Sequence, residues 1–359
     1  MKIIAIINQK GGCGKTVTAI NLACAVSGIN RKTLLLDLDP QAHATTALDI
    51  KPEDSGKSSY AIFDAFINHK KIDISALLHK KYDNLFVIGS HISLSTMEQK
   101  MTQEENALWA VADALKANSL SDFDYVIIDT PPNLGFITLN AITAANRLIV
   151  PIDVSQFSLN GVNHLNEIIG MCESRGYKKP RMSFLVTQFD GRSNFAKNFI
   201  SQAKKLFGDE LLHTPIRSTI RIREAAFVGK AIFEYAPESN AAVDYSSLAY
   251  EIFPELEGKN INLAGTHAVA EKPQVMFKLF APNAKSVYVA GTFNKWVTDE
   301  TSAMKKLDSG IWIKIIPLPE GTYRYKFVVD GVWRQDPANT VTEGDSMGGK
   351  NSVLSVKAG

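Results

Sequence analysis

The feature that most constrains this chain is a glycine-rich stretch near its start, NQKGGCGKT, at residues 8–16. An apolar run, Ile3–Ile7, precedes it, and a helical pattern follows from Lys15. Glycines allow backbone N–H groups to close around an anion at the start of a helix, where the helix dipole adds to the attraction. Strand, turn and helix in this order predict a phosphate-binding loop.

The loop departs from the strict pattern GxxxxGK[ST], because Gln9 stands where that pattern has glycine. It also carries a second lysine, Lys10, ahead of the glycines. From the pattern, Lys15 should contact the β- and γ-phosphates of a nucleotide, and the Thr16 hydroxyl should bind Mg²⁺. A simple glycine-rich turn with a chance lysine is the alternative, which the order of strand, turn and helix disfavours.

Acidic residues end two other predicted strands. LLLDLDPQ places Asp37 and Asp39 at the end of the second strand, and YVIIDTPP places Asp129 at the end of another. Ligands bind at the carboxyl ends of the strands in an open α/β sheet. One acidic strand end is commonly only a turn or cap residue. Three such residues beside a phosphate loop indicate a site for a nucleotide and Mg²⁺.

The first 255 residues alternate apolar runs with helical patterns, which predicts an α/β fold with a mostly parallel sheet flanked by helices. The predicted strands are Ile3–Ile7, Thr33–Asp37, Leu85–Ile88, Tyr125–Asp129, Arg147–Pro151, Ser183–Gln188 and a short one near Leu211. Helices are predicted after Lys15, Glu104, Ile137, Gly161, Asn194 and Ala241.

The pattern changes after Glu257. Residues 258–272 are polar and without periodicity, which predicts a linker. Over residues 273–359 apolar positions alternate between turn signals, which predicts a small antiparallel β-sandwich. Its predicted core residues are Phe277, Val289, Ile313, Tyr325 and Phe327. We therefore expect one domain at 1–257 and a second at 273–359.

The cysteines and the hydropathy bear on the cellular compartment. No apolar run reaches the roughly 18 residues of a membrane span, and the start lacks the length and cleavage site of a signal peptide. Cys13, Cys24 and Cys172 form no CxxC pair or even-numbered framework. We expect a cytoplasmic protein with no membrane partner. Cys13 is a candidate redox-sensitive thiol, although any small residue fits its position.

The formal net charge of +2 hides an uneven distribution of charge along the chain. Residues 175–230 hold twelve basic and four acidic residues. A segment of this kind is where a polyanion such as nucleic acid would be held. A solvated helix face with scattered charges is the alternative interpretation.

The first 255 residues resemble the ParA/Soj branch of the deviant-Walker P-loop ATPases. The resemblance rests on five segments in family order: KGGCGKT, DLDPQ, IIDTPPNLGFITLNAI, VPIDVSQFSLNG and TPIRSTIRIREAAFVGKAIFEY. It implies an ATPase with ATP and Mg²⁺ as cofactors. The residues that bind the nucleotide would be Gly11, Gly12, Cys13, Gly14, Lys15, Thr16 and Val17 in the loop, with Pro215 and Arg217 near the base.

The resemblance also implies the role of each charged residue. Lys10 would cross a dimer interface to the partner's phosphates, as an arginine finger does elsewhere. Asp39 would orient the attacking water, Asp37 would support Mg²⁺, and Asp129 would be the Walker B carboxylate. The implied catalytic residues are Lys10, Lys15, Asp39 and Asp129, and the implied Mg²⁺ residues are Thr16, Asp37 and Asp129.

The chain departs from the family pattern at Thr187-Gln188, where the family often has Thr-Met before Phe189-Asp190 or an equivalent pair. Contacts to the base are therefore less well defined than contacts to the phosphates.

ParA relatives bind DNA non-specifically as dimers, through basic residues in the neighbourhood of the basic segment. By position these are Arg192, Lys197, Arg217, Arg221 and Arg223, with Lys204 and Lys205 close by. Such binding is directed at phosphates and weakens with salt. The resemblance further implies a homodimer that forms with ATP, and a ParB-like or other partner that stimulates it.

Residues 273–359 resemble the family 48 carbohydrate-binding module, the glycogen-binding domain of AMP-activated kinase β subunits. The resemblance rests on VYVAGTFNKW, LPEGTYRYKFVVDGVWRQDP and GGKNSVLSV. It implies that an α-1,4-glucan is bound by Trp296, Lys326, Trp333, Met347 and Asn351. The two tryptophans would stack on sugar faces, and Met347 stands where the family often has a leucine. A fold kept only for protein interaction is the alternative.

The leading hypothesis is an ATPase that dimerises around MgATP, binds DNA and positions a cargo. Its C-terminal module would bind an α-glucan, such as glycogen, or a partner protein. Two alternatives stay open. Ordinary chromosome or plasmid partition leaves the module unexplained, and a glucan-sensing regulator would change its ATP switching when glucan binds.

Overall fold

The computed structural model describes residues 1–52, 54–101, 107–117, 120–263, 274–307, 310–318, 320–345 and 349–356. By its internal contacts the chain divides into two compact units. The first is Met1–Glu255 with Ile261–Thr266, and the second is Leu256–Asn260 with His267–Gly359. The linker predicted at 258–272 lies partly outside the described residues, and the predicted domain boundaries stay a prediction.

The first unit is built on one sheet. Its strands are β1 (Lys2–Ile6), β2 (Thr33–Asp37), β3 (His79–Tyr82), β4 (Leu85–Ile88), β5 (Tyr125–Asp129), β6 (Arg147–Asp153) and β7 (Arg181–Thr187). They lie side by side in the order β3-β4-β2-β5-β1-β6-β7. All neighbours are parallel except β3, which runs antiparallel to β4. Strands β2 and β5 are buried along their whole length, as the central strands of a sheet covered on both faces must be.

Helices flank this sheet. They are α1 (Lys15–Ser27), α2 (His43–Ala47), α3 (Tyr60–Ile67), α4 (Met97–Met101), α5 (Ala110–Ala117), α6 (Phe136–Ala144), α7 (Gln156–Ser174), α8 (Asn194–Phe207), α9 (Arg221–Phe227), α10 (Ile232–Tyr235) and α11 (Asn240–Ile252). Helix α1 is buried along most of its length and packs against α11. Within the described ranges, no helix is both long and apolar enough to cross a membrane.

The structure confirms the predicted mostly parallel α/β sheet. Three strands have the predicted bounds: Thr33–Asp37, Leu85–Ile88 and Tyr125–Asp129. Strand β3 is not among the predicted strands, because its HKKY sequence is polar and only Tyr82 in it is buried. The strand predicted near Leu211 is a single bridge to Phe184 and not a strand. Helix α7 begins at Gln156, ahead of the Gly161 from which a helix was predicted.

Neither edge of the sheet is a straight, open strand. At β3 the edge carries two lysines, and the pairing register with β4 shifts between Lys80 and Tyr82. At β7 the chain that follows α8 covers the edge, with parallel bridges at Leu211 and Arg217. Irregular and covered edges of this kind disfavour pairing with another chain.

The second unit is an antiparallel β-sandwich, as predicted. Its strands are β8 (Gln274–Phe280), β9 (Val287–Gly291), β10 (Lys305–Lys306), β11 (Ile311–Pro317), β12 (Gly321–Val329), β13 (Val332–Arg334), β14 (Thr342–Gly344) and β15 (Lys350–Val356). One sheet has the order β10-β11-β8, and the other has β13-β12-β15-β14 with β9 paired to β12. The predicted core residues are all buried: Phe277, Val289, Ile313, Tyr325 and Phe327.

Candidate functional site

The glycine-rich loop joins β1 to α1 and forms an open cradle. Gly12 and Gly14 have φ angles of 75° and 91°, a left-handed conformation that residues with a Cβ adopt only with strain. A Cβ placed on Gly11 or Gly12 would meet no atom of the described residues within 4 Å. The loop therefore leaves open space beside backbone amides at a helix N-terminus, which suits a phosphate group.

The two lysines of the loop point to different partners. Lys15 is 6% exposed, and its Nζ donates a hydrogen bond to the carbonyl oxygen of Lys10 at 3.0 Å. The Lys15 side chain therefore folds back over the loop. Lys10 instead directs its Nζ to Asp153 Oδ2 at 2.5 Å and to Ser155 Oγ at 2.8 Å. Asp153 ends β6, so Lys10 is held by the neighbouring strand and not by its own loop.

The acidic residues come together because their strands are neighbours. The register of β2 and β5 pairs Asp37 with Asp129. Asp37 accepts hydrogen bonds from the Thr45 hydroxyl at 2.6 Å, the Thr45 N–H at 2.9 Å and the Asp39 N–H at 3.0 Å. Asp39 is buried and accepts a hydrogen bond from the Gln41 N–H at 2.9 Å. These bonds fix the segment that follows β2.

Asp129 is the least satisfied group of the site. Both of its carboxylate oxygens are buried, and neither has a hydrogen-bond partner of regular geometry in the described part of the chain. Burial raises the pKa of Asp129 well above its usual value, the charge of Asp37 raises it further, and the Thr16 hydroxyl lowers it. Burial also raises the pKa of Asp37 to about 6. Two buried carboxyl groups this close favour a bound proton or cation.

A magnesium ion fits this arrangement. Buried carboxylate oxygens without partners are costly unless a proton or a metal ion neutralises them, and Mg²⁺ prefers oxygen ligands. Among the described residues no group of three or more His, Cys, Asp or Glu side chains could hold a metal ion by itself. That agrees with Mg²⁺, which binds through one or two carboxylates together with water and phosphate oxygens.

The structure thus brings the residues predicted for phosphate and Mg²⁺ into one place. The pKa of the Asp129 carboxyl is shifted by the charges of Lys15, Asp37 and Asp39 and by the Thr16 hydroxyl. These residues come from α1, β2, β5 and the segment after β2. The roles assigned to each of them remain predictions.

The residues predicted to lie near the base are bound within the protein. Pro215 is buried. Arg217 Nη2 and Nε donate to Asp244 Oδ1 at 2.5 Å and Oδ2 at 3.0 Å, and the two side chains are 13% and 1% exposed. A phosphate or base would have to compete with this charge-assisted pair. Asp244 is not among the predicted residues, because an acidic residue within a helix gives no signal of a partner 27 residues away.

The end of β7 contacts the loop through two side chains that the sequence analysis did not assign. Thr187 Oγ1 donates to the Cys13 carbonyl at 2.8 Å, and Gln188 Nε2 donates to the Gly12 carbonyl at 2.5 Å. The Cys13 side chain is buried, and burial raises the pKa of its thiol. A raised thiol pKa opposes thiolate reactivity, so the geometry does not favour redox control at Cys13.

The basic segment is divided between the two ends of β7. Arg175, Lys178 and Lys179 precede this strand, whereas Arg192 and Lys197 follow it. The strand is seven residues long, and a strand rises about 3.3 Å per residue, so the two groups of charges lie at opposite ends of the sheet. The count of basic residues along the sequence therefore overstates the charge of either surface.

The predicted DNA-binding residues differ in how available they are. Lys197 and Arg223 are exposed, and within the described residues neither makes an ion pair. Arg192 and Arg221 are also exposed, but each pairs with an acidic residue two or three positions away. Arg217 is bound in the buried pair with α11. The exposed charges at this end of the sheet come from the other four.

The two tryptophans of the second unit lie side by side. Their ring centroids are 6.0 Å apart and their planes are inclined by 51°. Trp333 is 45% exposed, and Trp296 is half-buried. Trp296 has a φ angle of 62°, so it is displayed on a tight turn after β9. The pair offers two neighbouring aromatic surfaces that are accessible from solvent.

The other predicted carbohydrate-binding residues lie on the same sheet. The antiparallel pairing of β12 with β15, continued by one position, places Lys326 opposite Asn351. Lys326 Nζ pairs with Asp345 Oδ2 at 2.5 Å, and Asn351 is 7% exposed. Met347 lies outside the described residues.

Comparison with known proteins identifies relatives for both units. Residues 1–183 match the family described as AAA domain, and residues 274–359 match the glycogen recognition site of AMP-activated protein kinase. The chain is 34% identical over 255 residues to the sporulation initiation inhibitor protein Soj of Bacillus subtilis, an alignment that covers 70% of this chain and 98% of Soj. It is 33% identical over 253 residues to the chromosome partitioning protein ParA of Myxococcus xanthus, covering 70% of this chain and 87% of that protein.

A solved structure shares the architecture of the first unit. Cobyrinic acid a,c-diamide synthase from Mycobacterium smegmatis, with a bound ATP analog and magnesium, matches with a TM-score of 0.61 and 25% identity. The match covers 73% of this chain and 99% of that chain. The open amide-lined loop and the unsatisfied Asp129 fit ATP and Mg²⁺ as the cofactors. The chain belongs to the ParA/Soj family of P-loop ATPases and carries a C-terminal unit of the glycogen recognition type.

Proposed function

We propose that this ATPase switches between a monomer and a dimer closed around MgATP, and that the dimer binds DNA and positions a cargo. The placement of Lys10 carries this proposal. Its ammonium group is held at 2.5 Å by Asp153 and at 2.8 Å by Ser155, so it does not serve its own loop. Once it leaves Asp153, a lysine in this position would serve the phosphates of a second subunit.

In the proposed site each group has one task. The loop amides and Lys15 bind the β- and γ-phosphates, and Asp39 orients the attacking water. Bound Mg²⁺, supported by Thr16, Asp37 and Asp129, would neutralise charge on the phosphates. Hydrolysis then depends on positioning and charge stabilisation, without a covalent intermediate on the protein.

Turnover by the isolated subunit should be slow, because Lys10 must leave Asp153 before it reaches a partner's phosphates. The two side chains are 35% and 17% exposed, and pairs near the surface contribute only about 0–1 kcal/mol. A triphosphate on the partner carries more negative charge than one carboxylate and can displace it. ATP would thereby favour the dimer, and a ParB-like or other partner would complete the alignment.

We propose that the dimer holds DNA by its phosphates. The exposed cations at the carboxyl end of β7 and on α9 are the contact residues: Arg192, Lys197, Arg221 and Arg223. Two copies of this surface act together in the dimer, so DNA affinity should depend on ATP. Arg217 is held in its buried pair with Asp244. Its contribution to DNA binding would be to stabilise the structure that presents the exposed cations.

We propose that the C-terminal unit binds an α-glucan such as glycogen, or a partner protein, and so links the ATPase to its cargo. The match to a glycogen recognition site and the accessible pair of Trp296 and Trp333 support this proposal. Lys326 and Asn351 lie on the same sheet. Met347 belongs to the proposed site by sequence position alone.

The deciding experiment is ATP turnover of the full chain with DNA and with glycogen, separately and together, while light scattering follows dimerisation. We expect stimulation by DNA, dimerisation with ATP, and loss of both in Lys10→Ala. Lys178→Ala is the matched control, because Lys178 is an exposed lysine before β7. Wild-type turnover and dimerisation in Lys10→Ala would contradict the proposal. An effect of glycogen on turnover without DNA would favour the glucan-sensing regulator.

A further inference from the structure

We propose that Gln188 is a positioning residue of the nucleotide site. Together with Thr187 it holds two consecutive carbonyl groups of the glycine-rich loop, and it thereby aims the loop amides at the phosphates. The proposal concerns the geometry that the loop has before nucleotide binds.

The contacts are specific and come from one strand end. Gln188 Nε2 donates to the Gly12 carbonyl at 2.5 Å, and Thr187 Oγ1 donates to the Cys13 carbonyl at 2.8 Å. A Cβ on Gly14 would lie 3.7 Å from the Thr187 side chain, so Thr187 packs directly under the start of α1. The end of β7 therefore supports three successive residues of the loop.

The planarity of the peptide bond turns these contacts into control of the amides. In a trans peptide the C=O and the following N–H point in opposite directions. Holding the Gly12 carbonyl toward β7 directs the Cys13 N–H away from β7. Holding the Cys13 carbonyl directs the Gly14 N–H the same way. Amides of a phosphate loop act as anion ligands only when they converge. The hydrogen bonds from Gln188 and Thr187 therefore make the N–H groups of Cys13 and Gly14 point in the same direction.

The backbone of Gln188 is itself unusual. Its φ angle is 54°, a left-handed conformation that costs a residue other than glycine about 1–2 kcal/mol. Strained residues persist where the surrounding structure requires them, and they cluster at functional sites. The bond to Gly12 depends on the amide group of the Gln188 side chain, and a methionine side chain at this position would have no N–H group to donate.

Two variants separate the hydrogen bond from the backbone strain. Gln188→Met keeps the length of the side chain and removes the donor. Gln188→Gly removes the donor and also relieves the left-handed strain. We expect both to raise the Kd for ATP by about 2- to 12-fold, the range that one net hydrogen bond supplies. Both variants lose the same bond, and the relief of about 1–2 kcal/mol of strain outweighs the roughly 0.5–1 kcal/mol of backbone entropy that glycine costs. The nucleotide-free Gln188→Gly variant should therefore melt at or above Gln188→Met, although both bind ATP more weakly than the wild type, a combination that a residue with only a structural role would not produce.

Isothermal titration of the full chain with ATP and with ADP measures the affinities, and calorimetric melting without nucleotide measures the stability. Gln202→Met is the matched control, because Gln202 is exposed in the middle of α8; its Kd and Tm should equal those of the wild type. Thr187→Val, which removes the second donor, should weaken ATP binding in the same direction. A Kd within experimental error of wild type in both Gln188 variants overturns the proposal, as does a Tm of Gln188→Gly below that of Gln188→Met.

Discussion

Asp129→Asn should stabilise the nucleotide-free protein at neutral pH, although it removes a residue of the proposed Mg²⁺ site. Both oxygens of Asp129 are buried without regular hydrogen-bond partners in the described chain, and its strand neighbour is Asp37. Two ionised carboxylates in such a place destabilise the fold until a cation arrives. Asparagine has nearly the same shape and no charge, so the substitution removes the repulsion and leaves the packing in place.

The direction of the effect follows from the pKa of Asp129, which burial and the charge of Asp37 raise well above its usual value. Because the folded carboxyl holds its proton more tightly than the unfolded one, the stability associated with this proton is present below about pH 4 and is lost as the pH rises toward the raised pKa. A buried polar group without a partner costs about 1–3 kcal/mol, and more when it is charged. We therefore expect Asp129→Asn to recover about 1–3 kcal/mol at pH 7.5, or roughly 3–10 °C in Tm for a unit of this size.

Calorimetric melting of the full chain in EDTA at pH 7.5 and at pH 5 provides the assay, and the transition that shifts with MgADP identifies the ATPase unit. The advantage of Asp129→Asn should shrink at pH 5, where the wild-type carboxyls take up protons. MgADP should stabilise the wild type more than the variant. Asp190→Asn is the control: the Arg192 side chain lowers the pKa of this exposed carboxyl, so its removal should give no gain. A variant that melts below the wild type in EDTA, or a difference independent of pH, would refute this reasoning.

Three further outcomes are expected. Asp39→Ala should keep ATP binding but lose about 100-fold or more in turnover, because the attacking water is no longer oriented. Size-exclusion chromatography with ATP should then find more dimer than for the wild type, and normal turnover would count against the assigned role. Arg223→Glu should weaken DNA binding in a salt titration and lower the slope of log affinity against log salt by about one or more, whereas Lys178→Glu, at the other end of β7, should change neither. Trp333→Ala should abolish retardation of the full chain on glycogen gels while the exposed Val341→Ala keeps it, and equal retardation of both variants would exclude the aromatic pair.

The structural features that depend on residues close together along the chain were mostly predicted from the sequence. The order of strand, glycine-rich turn and helix located the loop, and continuous apolar runs located β2 and β5 with their acidic ends. The core of the second unit followed from alternation along its strands. These signals are local, because each depends on residues that are close along the chain.

What the sequence analysis missed depends on contacts between distant segments. Nothing near Asp153 indicates that it holds Lys10, and nothing near Asp244 indicates that it binds Arg217. Strand β3 is short and polar, so it has no apolar pattern to detect. The contact of Gln188 with the loop arises only when β7 is packed at the end of the sheet. Such pairings require the fold to be known first.

The two sheet edges described above limit how copies of this protein can assemble. A shifted register and lysines at β3, and a covering segment at β7, leave neither side ready to accept a foreign strand. Growth of a fibre by continuous backbone pairing through this sheet is therefore disfavoured at both of its edges. Association through the first unit would then use side chains on its other faces, and the proposed ATP-dependent dimer would form there.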